Sequence, residues 1–357
     1  MHYYTEDGQI FTSKLKAIQY SKMNNRQLNF YYCDDFYSQL NWKIEPTQSL
    51  PQLYKEQAQR IRDNYDYVIL AYSGGQDSTN ILETFYYNNI KLDKILVVGA
   101  FSQDSYSGVD ENHNGELYHN AFPYLKDLGL ENITQVCDYT EYFDKIDNFT
   151  ITKYHNEWVD FIGPWFSPHH WFWRDMEKFV VPSNFQNKRV ATIFGIDKPI
   201  LDYDHERGPA GKSVLTGFRF RDTACCDYGQ YDKQTEKSNY DRINFYWDPN
   251  FPQILIKQLH VIKRVYDIEY TNSYDPVIGS QYLSGMSTDQ IVYDLKRPLS
   301  FKSPKSKTNI ISLRDNYLMN KKDSRVYSIF SSGLERIYKT IDRNTLTTVT
   351  SKFYRIV

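Results

Sequence analysis

Hydrophobic positions change their period several times along the chain, and each change marks an element. Six consecutive apolar or aromatic residues, Tyr67-Val68-Ile69-Leu70-Ala71-Tyr72, form the pattern of a strand buried on both faces. From Thr79 to Tyr87 the apolar residues Ile81, Leu82, Phe85 and Tyr86 recur at helical spacing. Residues 94–100 (KILVVGA) predict a second buried strand. Residues 115–128 predict a helix, with Gly129 where a left-handed C-terminal cap belongs. Residues 133–137 and 189–194 predict a third and a fourth strand. Strands alternating with helices imply an α/β fold, a parallel sheet sandwiched between helices.

The flanks read differently. Leu28 to Tyr32 predicts an isolated strand, Pro46 and Pro51 mark a connection, and Leu53 to Asn64 predicts a helix leading into the sheet. Residues 202–217 are rich in glycine and charge and predict a loop. Residues 253–266 predict a helix with Ile254, Leu255, Leu259, Ile262 and Tyr266 roughly on one face. The resulting division is a short N-terminal appendage over 1–55, an α/β domain over 56–200, and a mainly helical or mixed C-terminal region over 201–357.

Composition narrows the function classes. The chain has 357 residues and is 41% hydrophobic, enough for a sizeable core. Its 42 basic and 44 acidic residues leave a charge of −2, which argues against a coat for nucleic acid. No stretch approaches the ~20 apolar residues of a membrane helix, and the N-terminus carries no apolar leader, so a cytoplasmic protein without a membrane partner is expected. Cys33, Cys137, Cys225 and Cys226 contain no C-x-x-C pair, so neither a disulfide scaffold nor a structural zinc is expected. The 32 tyrosines bring hydroxyls that need partners when their rings are buried.

Candidate chemistry concentrates in Ala71-Tyr72-Ser73-Gly74-Gly75-Gln76-Asp77-Ser78, between the first buried strand and its helix. Two glycines let the backbone turn sharply and expose successive N–H groups, and the positive end of the following helix adds to that field. Together these prepare a site for phosphate. The hydroxyls of Ser73 and Ser78 can donate to the anion, and Asp77 is an oxygen ligand for the Mg²⁺ that accompanies a triphosphate. The sheet's carboxyl ends are also where α/β folds bind ligands.

This stretch resembles the S-G-G-x-D-S signature of the PP-loop ATP pyrophosphatases, the adenine nucleotide α-hydrolase-like superfamily, and the resemblance covers roughly residues 60–200. It implies a HUP-like fold with ATP and Mg²⁺ as cofactors. It further implies contacts from Ser73, Gly74, Gly75, Gln76, Asp77 and Ser78 to the pyrophosphate and its metal, and attack at the α-phosphate. By the same resemblance Gly195-Ile196-Asp197-Lys198-Pro199, after the fourth strand, faces the phosphates across the cleft. Gly195 then lines the nucleotide, Asp197 is a second metal ligand, and Lys198 neutralises charge growing on the α-phosphate. Adenine is expected against the main chain of Ala71, Tyr72, Gly99, Ala100 and Phe101. The flanking pattern is similar to PP-loop proteins of large tailed phages, which would put the chain in a host cytoplasm, and more distantly to asparagine synthetase C-terminal domains. Clustered cysteines for sulfur chemistry are lacking, and the residues before the sheet are too few for a glutaminase domain.

Other signals are weaker. Residues 206–213 end like a Walker loop but have Glu206 in place of its first glycine, and read as a surface loop carrying Arg207 and Lys212. His169 and His170 read as core or surface histidines, and the surrounding Trp165, Trp171 and Trp173 as packing against the sheet. Lysines 302, 305, 307, 321 and 322 make 302–325 the best polyanion contact, although an ordinary charged surface is favoured. The function expected is an ATP-dependent ligase or amide-forming synthetase that adenylates an unidentified acceptor and releases pyrophosphate. The alternatives are a catalytically silent nucleotide-binding module and a nucleic-acid-modifying PP-loop enzyme.

Overall fold

The computed structural model describes residues 2–99, 101, 111–138, 155–160, 172–173, 176, 180–185, 187–196, 199–204, 214–222, 239–269, 291–297, 299, 325–341 and 348–356. The chain opens with strand β1 (His2–Thr5), β2 (Ile10–Phe11), helix α1 (Lys14–Asn24) and β3 (Leu28–Tyr31). These strands form an antiparallel sheet in the order β2-β1-β3. Ser13 caps α1 by accepting from the Lys16 N–H at 3.3 Å. After a short helix α2 (Asp34–Tyr37), α3 (Leu50–Asn64) starts with a capping box. There the Ser49 hydroxyl and the Gln52 side chain each satisfy the other's backbone N–H, and Pro51 stands in the first turn, where its missing N–H costs nothing.

The central sheet then assembles from β4 (Tyr67–Ala71), α4 (Gln76–Tyr87), β5 (Lys94–Gly99), α5 (Glu111–Glu116), a π-helical turn (Leu117–Ala121), α6 (Phe122–Asp127), β6 (Thr134–Asp138) and β7 (Val190–Phe194). Gly129 has φ +66°, and the next N–H, from Leu130, reaches back to the Leu125 carbonyl at 2.9 Å, closing α6 as its sequence predicts. Beyond β7 follow β8 (Ile200–Asp204), β9 (Val214–Arg219), β10 (Tyr240–Asn244), α7 (Gln253–Glu269), α8 (Arg325–Tyr338) and β11 (Tyr354–Arg355). The five parallel strands take the order β10-β7-β4-β5-β6, flanked by helices. Val68, Ile69 and Leu70 of β4 and Val190, Ala191 and Ile193 of β7 are wholly buried, which explains their unbroken apolar runs.

The chain winds outward from β4 through β5 to β6, then returns to lay β7 on the other side of β4. The order of strands thus reverses between β4 and β7, and the carboxyl ends of strands at such a switch point are where α/β sheets bind ligands.

Two expectations change beyond residue 200. The ends of the segment read as a loop over 202–217 instead belong to the antiparallel pair β8 and β9, with a bulge at Asp202/Tyr203, while residues 205–213 lie outside the described residues. Its glycine serves close approach: a Cβ on Gly217 would lie 2.2 Å from the Tyr354 carbonyl oxygen of β11, the other neighbour of β9. The second change is β10, whose polar sequence YDRIN has no apolar run to announce it, yet it pairs with β7 and extends the parallel sheet. The predicted helix over 253–266 is α7, with Ile254, Leu255, Leu259 and Ile262 buried, and it packs on α3, which packs on α4.

Candidate functional site

Tyr72 leaves β4 with its N–H bonded to the Leu96 carbonyl of β5 at 2.9 Å, so the loop starts from a fixed point. The Tyr72 phenol shares a hydrogen bond with Thr79 Oγ1 at 3.3 Å, and burial pushes its pKa up to about 12. Ser73 is exposed at the tip. Gly74 has φ +78°, and a Cβ there would meet the Ala121 backbone nitrogen at 2.8 Å and the Glu116 carbonyl oxygen at 2.9 Å. The turn thus needs glycine for its dihedral and for the π-helical turn packed against it.

Gly75 is the N-cap of α4, with extended φ and ψ and no side-chain cap, in contrast to α1 and α3. The first N–H groups of a helix have no acceptor inside it, so this end offers donors and a positive field without a protein side chain in the capping position. Two serines shape the loop from within. Ser73 and Ser78 hydroxyls lie 3.2 Å apart; Ser78 Oγ accepts from the Ser73 N–H at 3.3 Å and donates to the Gly75 carbonyl at 3.2 Å, while Ser73 Oγ accepts from the Gly75 N–H at 3.3 Å. On the β7 side, a Cβ on Gly195 would sit 2.9 Å from both the Asp77 carbonyl carbon and the Ser78 nitrogen. Glycine at the end of β7 is what lets the start of α4 come this close.

The structure thus brings together Ala71, Tyr72, Ser73, Gly74, Gly75, Gln76, Asp77, Ser78 and Gly195. Gly99 lies at the carboxyl end of the neighbouring β5, and the Phe101 ring rests on it: a Cβ on Gly99 would meet Phe101 Cζ at 2.5 Å and Asn114 Oδ1 at 2.9 Å. Phe101 stands 6.1 Å from both the Tyr118 and the Phe122 rings. Ala100, Asp197 and Lys198 lie outside the described residues, as do His169, His170, Arg207, Lys212 and residues 302–324.

Three site residues escaped the sequence reading. Tyr246, just after β10, donates to the Asp77 carbonyl at 2.6 Å and accepts from Asn80 Nδ2 at 3.0 Å. Burial raises the Tyr246 phenol well above its ordinary range, which keeps it a donor. Tyr293 donates to Asp77 Oδ1. Glu116 brings a carboxylate oxygen to 3.4 Å from where a Cβ on Gly75 would stand. The loop is therefore flanked by two carboxylates, Asp77 and Glu116, beside a helix N-terminus. Among the described residues no group of three or more His, Cys, Asp or Glu gathers at metal-ligand spacing. Mg²⁺ needs no such cage, since it is ordinarily held by one or two carboxylates, water and phosphate oxygens. The glycine cradle, the uncapped helix end and Asp77 fit a magnesium-bound polyphosphate.

Among the described residues no helix is long and apolar enough to cross a membrane. No protein-family model matches the chain, and a search of curated proteins finds no match. Fold and site together define an α/β protein with a glycine turn and an uncapped helix end at the switch point of its parallel sheet.

Proposed function

We propose that this chain is an ATP pyrophosphatase-type enzyme of the PP-loop, HUP-like class, which binds ATP with Mg²⁺ and transfers AMP to an acceptor as a ligase or amide-forming synthetase. The observation that carries the reading is the position of the Ser73–Ser78 loop at the carboxyl end of β4, beside that of β7, with Gly195 packed against the first turn of α4. Strand order and a helix whose N-cap residue, Gly75, carries no side chain together favour an anion bound at this point.

In this reading the N–H groups of Gly74 and Gln76, the Gly75 N–H once it exchanges the Ser73 hydroxyl for the anion, and the hydroxyls of Ser73 and Ser78 hold the pyrophosphate portion. Asp77 holds the magnesium, whose charge offsets that of the leaving pyrophosphate, with Asp197 as a further ligand. A nucleophilic oxygen of the acceptor attacks the α-phosphorus, and the bond from that phosphorus to the bridging oxygen breaks. Pyrophosphate then departs with the electron pair. Lys198 offsets charge growing on the α-phosphate oxygens. The base lies near Ala71, Tyr72, Gly99 and Ala100, and meets the Phe101 ring before it meets the Gly99 backbone.

Purified protein incubated with α-labelled ATP, Mg²⁺ and a cell extract should yield AMP and pyrophosphate, and Asp77→Asn should yield none. ADP with inorganic phosphate would overturn the mechanism. Nucleotide binding without any cleavage would favour a silent binding module instead.

A further inference from the structure

We infer that Tyr293 is a positioning residue for the Asp77 carboxylate, setting the rotamer in which Asp77 meets the metal of a bound nucleotide. This inference rests on the ATP–Mg²⁺ reading above. Asp77 is gripped at two points by two tyrosines distant in sequence: Tyr246 on its backbone carbonyl and Tyr293 on its carboxylate. A ligating carboxylate gains its orientation from such outer hydrogen bonds.

Tyr293 is itself held. It is 6% exposed, its ring 5.2 Å from that of Tyr246 and 6.3 Å from that of Tyr54. Tyr54, anchored by Gln258 at 3.0 Å, donates to the Val292 carbonyl at 3.0 Å. Three residues after Tyr293 the Lys296 N–H spans both oxygens of buried Glu83 on α4, at 3.0 and 2.9 Å. Arg297 then pairs with Asp127 at 2.6 Å and lies over the Tyr124 ring. The segment 291–297 therefore runs along α4 and is tied at both ends, which fixes the Tyr293 hydroxyl relative to the helix that carries Asp77. Packing alone would not require this: a phenylalanine would fill the same space between the Tyr54 and Tyr246 rings.

The test compares wild type, Tyr293→Phe, Asp77→Asn and the double variant for Mn²⁺ binding in the presence of α,β-methylene ATP. Free Mn²⁺ is read by electron paramagnetic resonance, and thermal midpoints are recorded without ligand. Tyr293→Phe should raise the Mn²⁺ dissociation constant about 10–100-fold with the midpoint little changed. The double variant should bind no worse than Asp77→Asn alone, because Tyr293 acts through Asp77. Unchanged Mn²⁺ affinity in Tyr293→Phe, with or without a lowered midpoint, would assign Tyr293 to packing and overturn the inference. Losses that add in the double variant would overturn it as well. A wild-type protein that binds no Mn²⁺–nucleotide would instead remove the underlying ATP reading, a result distinguishable from the other two.

Discussion

At Gly74 a single Cβ would meet two obstacles at once. The backbone is left-handed at φ +78°, and the added carbon would press on the Ala121 nitrogen at 2.8 Å. The dihedral alone costs a non-glycine residue about 1–2 kcal/mol. Gly74→Ala should therefore lower the thermal midpoint and weaken nucleotide binding together, as calorimetry and titration would show. A binding loss without a stability loss would contradict the packing account. Asp77→Asn separates the two effects differently. Asparagine keeps an oxygen to accept from Tyr293, so the midpoint should hold while Mg²⁺-dependent turnover vanishes. Unfolding of that variant would show Asp77 to be chiefly structural. These residues differ in how legible they were. Gly74 and Gly75 announce themselves because a turn's needs are local. Tyr293 and Tyr246 reach Asp77 across 216 and 169 residues of chain, and nothing in their neighbours distinguishes them from the other tyrosines.

Helix α7 shows how an element can be read while its attachment is not. Its apolar face was plain in the spacing of Ile254, Leu255, Leu259 and Ile262, and the face opposite does further work by holding the connection after α2. There Glu45 bridges Lys257 at 2.7 Å and Arg264, Lys257 also donates to the Pro46 carbonyl at 2.9 Å, and a ring nitrogen of His260 hydrogen-bonds the Trp42 carbonyl oxygen at 2.9 Å. Burial alone would raise the Glu45 carboxyl, but hydrogen bonds from Arg264 and Lys257 hold it at about 2, below the ordinary 4.5. A depressed carboxyl stabilises the fold above its unfolded value and loses that contribution as pH falls through the folded one. Wild type should therefore lose stability between about pH 4.5 and 2 more steeply than Glu45→Gln in urea melts. Parallel pH curves for the two would remove Glu45 from that role. Strands β8, β9 and β10 were missed for a related reason. β8 (ILDYD) and β10 (YDRIN) carry charged residues among their apolar ones and β9 (VLTGFR) carries Gly217, so the local pattern resembles a loop until a neighbouring strand supplies the ladder.

On the scale of the whole molecule, the two ends of the chain are bound together around a buried ion pair. Lys14 Nζ lies 2.8 Å from Asp222 Oδ2, with both side chains fully buried. Tyr3 donates to the same oxygen at 2.9 Å, and the Val349 N–H reaches Oδ1 at 3.1 Å. The Phe30 N–H adds a bond to the Thr350 carbonyl at 3.0 Å, and Tyr354 donates to Asp34 at 2.5 Å. The three-stranded N-terminal sheet is thus joined to the C-terminal strand by backbone and side-chain bonds rather than by apolar contact alone. Removing one partner of a buried pair leaves an uncompensated charge, at a cost of about 3–5 kcal/mol. Lys14→Met should lose that much in urea unfolding, and adding Asp222→Asn should restore part of it. A Lys14→Met loss below about 1 kcal/mol would mean the charge finds solvent.

The sequence by itself determined the α/β class, the core strands β4, β5 and β7, the helices α4 and α7, and the Ser73–Ser78 turn. Each depends on hydrophobic period or on the dihedral freedom of glycine, properties carried within a dozen neighbouring residues. Tertiary structure decided the rest: that β10 joins the sheet beside β7, that Phe101 covers Gly99, that Glu116 stands beside the loop, and that Tyr246 and Tyr293 hold Asp77. Those contacts follow from which distant segments meet once the core closes. Hydrogen bonds that satisfy buried hydroxyls and carboxylates choose their partners by proximity in space, and local periodicity holds no record of that choice.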